Sequence, residues 1–194
     1  MTDEYHPADP IRWKPDDRRG HPHSLWREID KDATELEVTD LIAALVRTIK
    51  PRRVIETGTY RAHTTRAIAQ AMKENGVGDL LRTFDTNAER ATTAAALFAR
   101  TDTGHVKVEV VLGALTTDLM PPGVELAFLD SCMTCRHDEL QVAWPRLTPG
   151  ALVIIHDAAP ARPPSTATPP GAHHRLDLAT PRGLIILQKP WPAT

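Results

Sequence analysis

Between residues 51 and about 157 the chain alternates short apolar runs with helix-patterned segments, and four of those runs end in an acid: Ile55-Glu56, Phe84-Asp85, Leu129-Asp130 and His156-Asp157. Alternation of this kind predicts a mostly parallel sheet with helices on both faces. Strands are predicted at 53–56, 80–84, 106–112, 124–129 and 151–155, and helices at 64–75, 88–100 and 137–147. Two further runs, 175–178 and 184–188, have no helix between them. The short connection Ala179-Thr180-Pro181-Arg182-Gly183 therefore predicts an antiparallel last strand. The expected fold is α/β: a Rossmann-like, doubly wound sheet of seven strands, mostly parallel.

Before the first strand, residues 34–50 carry apolar side chains at Val38, Leu41, Ile42, Leu45, Val46 and Ile49, one face of a helix. Thr34 and Glu37 have capping-box spacing and Pro51 stops the run. Residues 1–31 are polar and Pro-containing, with Trp13, Trp26 and the cluster His21-Pro22-His23. They read as an irregular arm with at most short helical pieces, docked through its indoles. The chain thus divides into an arm at 1–33, able to serve as a lid, and a main domain at 34–194. Residues 158–171 are Pro-rich and read as a surface loop. Pro149-Gly150 reads as a turn before the fifth strand.

Composition narrows the partners. A net charge of −2, with no long basic run, gives no footing for nucleic acid. Apolar runs of strand length predict no membrane span, and the polar, acidic first ten residues do not read as a signal peptide. Two cysteines do not make a secreted disulfide framework, so a reducing cytoplasm is the expected compartment.

In an open α/β sheet, ligands bind outside the carboxyl ends of the strands at the switch in strand order. A single acid at a strand end can simply cap the next helix. Four in succession point instead to one shared rim. Glu56-Thr57-Gly58-Thr59-Tyr60-Arg61-Ala62 supplies small residues where a ligand would approach backbone, without the three glycines of a dinucleotide loop. Asp85 stands where a carboxylate can accept hydrogen bonds from two ribose hydroxyls.

Taken in order, these segments resemble class I S-adenosylmethionine-dependent methyltransferases over about residues 34–190. Val54-Ile55-Glu56-Thr57-Gly58-Thr59-Tyr60 is similar to that family's first motif. Asp85 matches its ribose-binding acid, Gly113-Ala114-Leu115 its adenine loop and Asp130 its fourth-strand motif. Leu147-Thr148-Pro149-Gly150 and Pro181-Arg182-Gly183-Leu184-Ile185 fit the same pattern. The resemblance implies that Glu56, Gly58, Thr59, Tyr60, His63, Thr64, Asp85, Thr86, Gly113, Ala114, Leu115 and Asp130 bind S-adenosylmethionine. It also implies a small-molecule acceptor, as in O-methyltransferases of specialised metabolism, and is compatible with a homodimer.

Methyl transfer needs an acceptor in line with the sulfonium methyl and, for a hydroxyl, a group to take its proton. Asp130, His156 and His137 are the candidate bases. Some relatives hold Mg²⁺ between the acids of the fourth and fifth strands, which here are Asp130 and Asp157. The chain departs from them at Ala158 and at Ser131-Cys132-Met133, where oxygen or nitrogen ligands are common. Cys132 and Cys135 form a lone CxxC, a poor zinc signal, and read as thiols bordering the substrate pocket. Two other readings stand beside transfer: a non-catalytic cofactor-binding or scaffold protein of the same fold, and a nicotinamide-dependent reductase. Against the latter stand the missing glycines and the absence of a Tyr-x-x-x-Lys sequence.

Overall fold

A computed structural model describes residues 11–12, 26–30 and 32–191. Trp13 and the His21-Pro22-His23 cluster lie outside them. In chain order the elements are β1 (Ile11–Arg12), β2 (Arg27–Glu28), α1 (Leu36–Ile49), β3 (Arg53–Thr57), α2 (His63–Asn75), β4 (Leu80–Asp85), α3 (Ala88–Phe98), β5 (Lys107–Leu112), β6 (Val124–Leu129), α4 (Arg136–Ala143), β7 (Leu147–His156), β8 (His174–Leu178) and β9 (Leu184–Gln188). Short 3₁₀ turns cover Trp144–Arg146 and Pro163–Thr166.

Seven strands form one sheet in the order β5-β4-β3-β6-β7-β9-β8. Pairings from β5 to β7 are parallel, and β9 runs antiparallel to both its neighbours. This is the expected Rossmann-like arrangement. Strand residues alternate between two cores. Val54, Leu126, Phe128 and Ile154 pack with Ile42, Val46, Ile68 and Met72 of α1 and α2 and with Phe98 of α3. Ile55, Ala127, Leu129, Val153 and Ile155 pack on the other face with Leu140 of α4 and Trp144. Burial on both faces explains why these strands read as unbroken apolar runs. Trp26, partly buried, packs against the first core.

From β3 the chain winds outward through β4 to β5. It then returns to the other side of β3 with β6 and β7. The carboxyl ends of β3 and β6 therefore flank the switch point, where a crevice opens.

Three local expectations are corrected. The Thr34–Glu37 capping box does not form: the N-cap of α1 is Glu35 and makes no side-chain cap. The Thr34 hydroxyl donates to Asp130 at 2.7 Å, and Glu37 receives the backbone and side chain of Arg27. Pro149-Gly150 lies within β7, not before it. Gly150 takes φ 81° at the place where the β6–β7 register shifts, so the ladder absorbs the turn residues as an irregularity. The arm contributes a two-residue antiparallel pair, Ile11 with Glu28 and Arg12 with Arg27, where an irregular course with at most short helical pieces was the expectation.

Candidate active site

The turn after β3 fixes the geometry of the crevice. Gly58 takes φ +86°, and a Cβ there would lie 2.2 Å from the Asp130 carbonyl oxygen. Only glycine lets this turn pass so close to the end of β6. The Gly58 N–H donates to the Phe84 carbonyl at 2.8 Å, and Asp130 N–H to that of Thr57 at 3.0 Å. Tyr60 and Ala62 then adopt left-handed backbone before α2 begins. Tyr60 N–H is thereby turned onto Asp85, donating to Oδ2 at 2.9 Å, while Asn87 N–H donates to Oδ1 at 2.8 Å. Each carboxylate oxygen keeps a second acceptor position.

A cavity of about 890 Å³ opens over these turns. It is lined by Gly58, Thr59, Tyr60, His63, Thr64, Asp85, Thr86, Gly113, Ala114, Leu115 and Asp130. Those are the residues expected at the cofactor, with one exception. Glu56 lies behind the loop, where it accepts from the hydroxyls of Thr65 at 2.5 Å and Thr83 at 2.7 Å. Burial pushes its carboxyl up to about 8 despite those two donors. His63 at the start of α2 is pulled down to about 4 by burial and by Arg66.

At the other end of the cavity Asp130 and Asp157 belong to a buried cluster of charges. Arg136, only 2% exposed, places NH2 2.8 Å from Asp130 Oδ1 and 3.2 Å from Asp157 Oδ2. Its NH1 donates to the His156 carbonyl. Arg182 forks onto Asp157 at 2.6 and 2.7 Å and donates to the Ala33 carbonyl at 2.8 Å. Arg162 reaches Asp157 Oδ1 at 2.5 Å. His156 bridges two acids, Nδ1 to Asp130 at 2.9 Å and Nε2 to Glu35 at 2.5 Å. Ionised carboxylates only accept, so both ring nitrogens donate and the ring is an imidazolium. Burial would lower the His156 pKa, but Asp130 and Glu35 outweigh it and hold the ring up at about 9. Burial would likewise raise Asp157, Asp130 and Glu35. His156 and the arginines reverse the sign, and all three are held below the ordinary carboxylate range.

Of the candidate bases, Asp130 faces the cavity. His156 sits wholly buried behind it, and His137 is exposed on α4 outside the lining. Cys132 and Cys135 do border the cavity, but as a disulfide and not as free thiols. The sequence reading assigned no role to Glu35, Arg136, Glu139 or Arg162, and quoted Arg182 only within a motif. Glu139, one turn into α4, lines the cavity and accepts from the Thr57 hydroxyl at 2.8 Å. Burial raises its carboxyl against the pull of the Ser131 and Thr57 hydroxyls and Arg136. Residues that precede α1 also reach the cavity. Asp30 receives Tyr60 Oη at 3.0 Å, and Asp32, Ala33 and Thr34 line the opening.

Compared with known proteins, the family profile for a methyltransferase domain matches residues 55–158, the strands and turns that build this crevice. The chain belongs to the methyltransferase domain family. No curated protein matches it. The fold of this methyltransferase domain is shared with solved structures of low sequence identity. An O-methyltransferase of Bacillus cereus, solved with SAH, gives a TM-score of 0.66 at 15% identity over 83% of this chain and 84% of that one. Podospora anserina methyltransferase PaMTH1, also bound to SAH, gives 0.67 at 12% over 91% and 85%. TomG of Streptomyces achromogenes, an O-methyltransferase involved in tomaymycin synthesis and solved with SAM, gives 0.63 at 16% over 81% and 82%. Among the described residues no helix is long and apolar enough to cross a membrane.

Proposed function

We propose that this methyltransferase domain binds S-adenosylmethionine in the crevice and passes its methyl group to an oxygen of a small-molecule acceptor. The observation that carries the reading is the set of turns after β3, β4 and β5, which bring Gly58, Asp85 and Gly113–Leu115 onto one cavity. Asp85, steadied by two backbone N–H groups, is the acceptor for ribose hydroxyls. The Gly58 turn gives the sulfonium end close access to backbone, and Leu115 offers an apolar surface to the adenine.

The acceptor would enter at the α4 side, between Asp130 and Glu139. Transfer moves the methyl cation from sulfur to the acceptor oxygen and leaves a neutral thioether. The hydroxyl proton has to go to the protein. His156 already donates from both nitrogens, and His137 is outside the cavity. Asp130 is a weak base, because Thr34, Arg136 and His156 all donate to it. Glu139, with its raised carboxyl at the cavity wall, is the better proton acceptor.

Calorimetric titration with S-adenosylmethionine and SAH tests the reading. Saturable binding is expected, weakened roughly 10- to 100-fold in Asp85→Ala by loss of charge-assisted hydrogen bonds. No binding of either ligand by the wild type would sink it.

A further inference from the structure

Asp130, His156 and Asp157 bring potential ligand atoms within 4.8 Å of one another, the kind of grouping that can hold a divalent ion. The arrangement does not fit one. A Mg²⁺ or Mn²⁺ ion touching both carboxylates would need oxygens at about 2.0–2.1 Å. The space between those carboxylates holds Arg136 NH2, in hydrogen-bond contact with an oxygen of each. Both oxygens of Asp157 are taken by the Arg182 fork, and Oδ1 also by Arg162. On Asp130, Oδ2 accepts from Thr34 and Oδ1 from His156. Ala158, the next residue along the chain, offers no side-chain ligand.

We propose that Arg136 is the built-in cation of this site: its guanidinium takes the place of a divalent ion between Asp130 and Asp157, and methyl transfer proceeds without a metal. The inference rests on the methyltransferase reading for its chemistry, but its geometry stands on the charge cluster alone. Its chemical sense follows from the donor set. A guanidinium satisfies carboxylates through directed hydrogen bonds and cannot be removed by a chelator or by a change of pH near neutrality. Arg136 also ties three elements together, since the same side chain bonds the end of β6, the Ser131 carbonyl at 2.7 Å and the end of β7. It acts as a positioning residue, holding Asp130 against the cavity. The acceptor implied meets an Asp130 held in place by hydrogen bonds, and no metal ion. It has no need of the paired oxygens that chelation of a metal requires.

The test is a Mn²⁺ titration followed by electron paramagnetic resonance on wild type, Arg136→Ala and Arg136→Gln, with SAH binding measured on the same samples. The wild type is expected to bind no Mn²⁺ at millimolar concentration, and EDTA to leave SAH binding unchanged. Removing the guanidinium takes a fixed positive charge from between two carboxylates, so the variants are expected to gain Mn²⁺ affinity by roughly tenfold or more. A purely structural arginine would not produce that gain. Arg136→Gln keeps length and a hydrogen-bond donor in case the alanine variant fails to fold, and the wild-type titration decides on its own if neither does. Stoichiometric Mn²⁺ binding by the wild type would overturn the proposal, as would folded variants that gain none. Failure of SAH binding with no Mn²⁺ uptake would overturn the cofactor reading and leave the occupied cation place standing.

Discussion

Replacing Arg182 by Met removes the fork on Asp157 and the bond to the Ala33 carbonyl while keeping most of the side-chain volume. Asp157 is 3% exposed, so its charge cannot turn to water for compensation. Breaking one arm of a buried ion pair costs about 3–5 kcal/mol. Two other guanidiniums still face this carboxylate, at 3.2 and 2.5 Å, which points to the low end, about 3 kcal/mol. For a domain of this size each kcal/mol moves the melting midpoint by about 2–4 °C, so a fall of roughly 6–12 °C is expected. The assay is urea and thermal unfolding followed by circular dichroism. A double-mutant cycle with Asp157→Asn should show the pair coupled by about 1–2 kcal/mol, the double variant losing less than the sum. A loss below about 1 kcal/mol, or strict additivity, would mean that the cluster does not stabilise the fold as argued.

Gly58→Ala puts a Cβ against the Asp130 carbonyl at positive φ. It should cost about 2–4 kcal/mol and weaken SAH binding, both readable in one set of titrations with unfolding curves. Glu139→Gln is expected to leave SAH affinity within about twofold while lowering turnover on any acceptor about 100-fold or more, with the acid limb of its pH profile lost. An unchanged profile would remove Glu139 from the chemistry. Stability should fall as pH rises. Between about pH 6.5 and 9 folded His156 keeps a proton that the unfolded chain has released, and buried Glu56, pushed up to about 8 from an ordinary 4.5, adds the same sign from pH 4.5 to 8. A urea midpoint that rises from pH 6 to pH 9 would contradict this. On the acid side Asp157, Asp130 and Glu35, held low in the fold, lose their contribution as pH drops below the ordinary carboxylate range. Reduction of the Cys132–Cys135 bond, which closes a very short loop, should cost about 2 kcal/mol, visible as a lower midpoint in a phosphine reductant.

The sheet was legible because its strands are buried on both faces. Val54-Ile55, Leu126-Ala127-Phe128-Leu129 and Val153-Ile154-Ile155 have no other reading once acids and small residues follow them. The rim of the cavity after β3, β4 and β5 was legible for a related reason. Its residues sit in turns directly after those strands, so local sequence places Gly58, Asp85 and Gly113 on one rim. Glu56 was misplaced because a strand-end acid reads the same whether it faces the cavity or, as here, two threonine hydroxyls. The cluster of charges at the other end of the cavity was not legible. Glu35 sits just before a helix, Arg136 just after a CxxC, and Arg182 in a hairpin connection, so none stands out locally. Their meaning comes from partners 121, 21 and 25 residues away. No periodicity records pairings of that range. The CxxC offered a local signal and gave the position correctly, but not the bond.

The reach of Arg182 has a consequence for how the chain comes together during synthesis. Its backbone N–H meets Glu35 across 147 positions, and its side chain neutralises Asp157. Strands β3 to β7 can pair while that arginine is still to be translated, so a growing chain would hold a nearly complete sheet around an incompletely matched carboxylate. Contacts that span most of the chain are entropically the last to close. The cavity floor would then mature only after the final hairpin docks. In the finished protein the same hairpin should be the first part whose amides exchange with solvent when the site is strained.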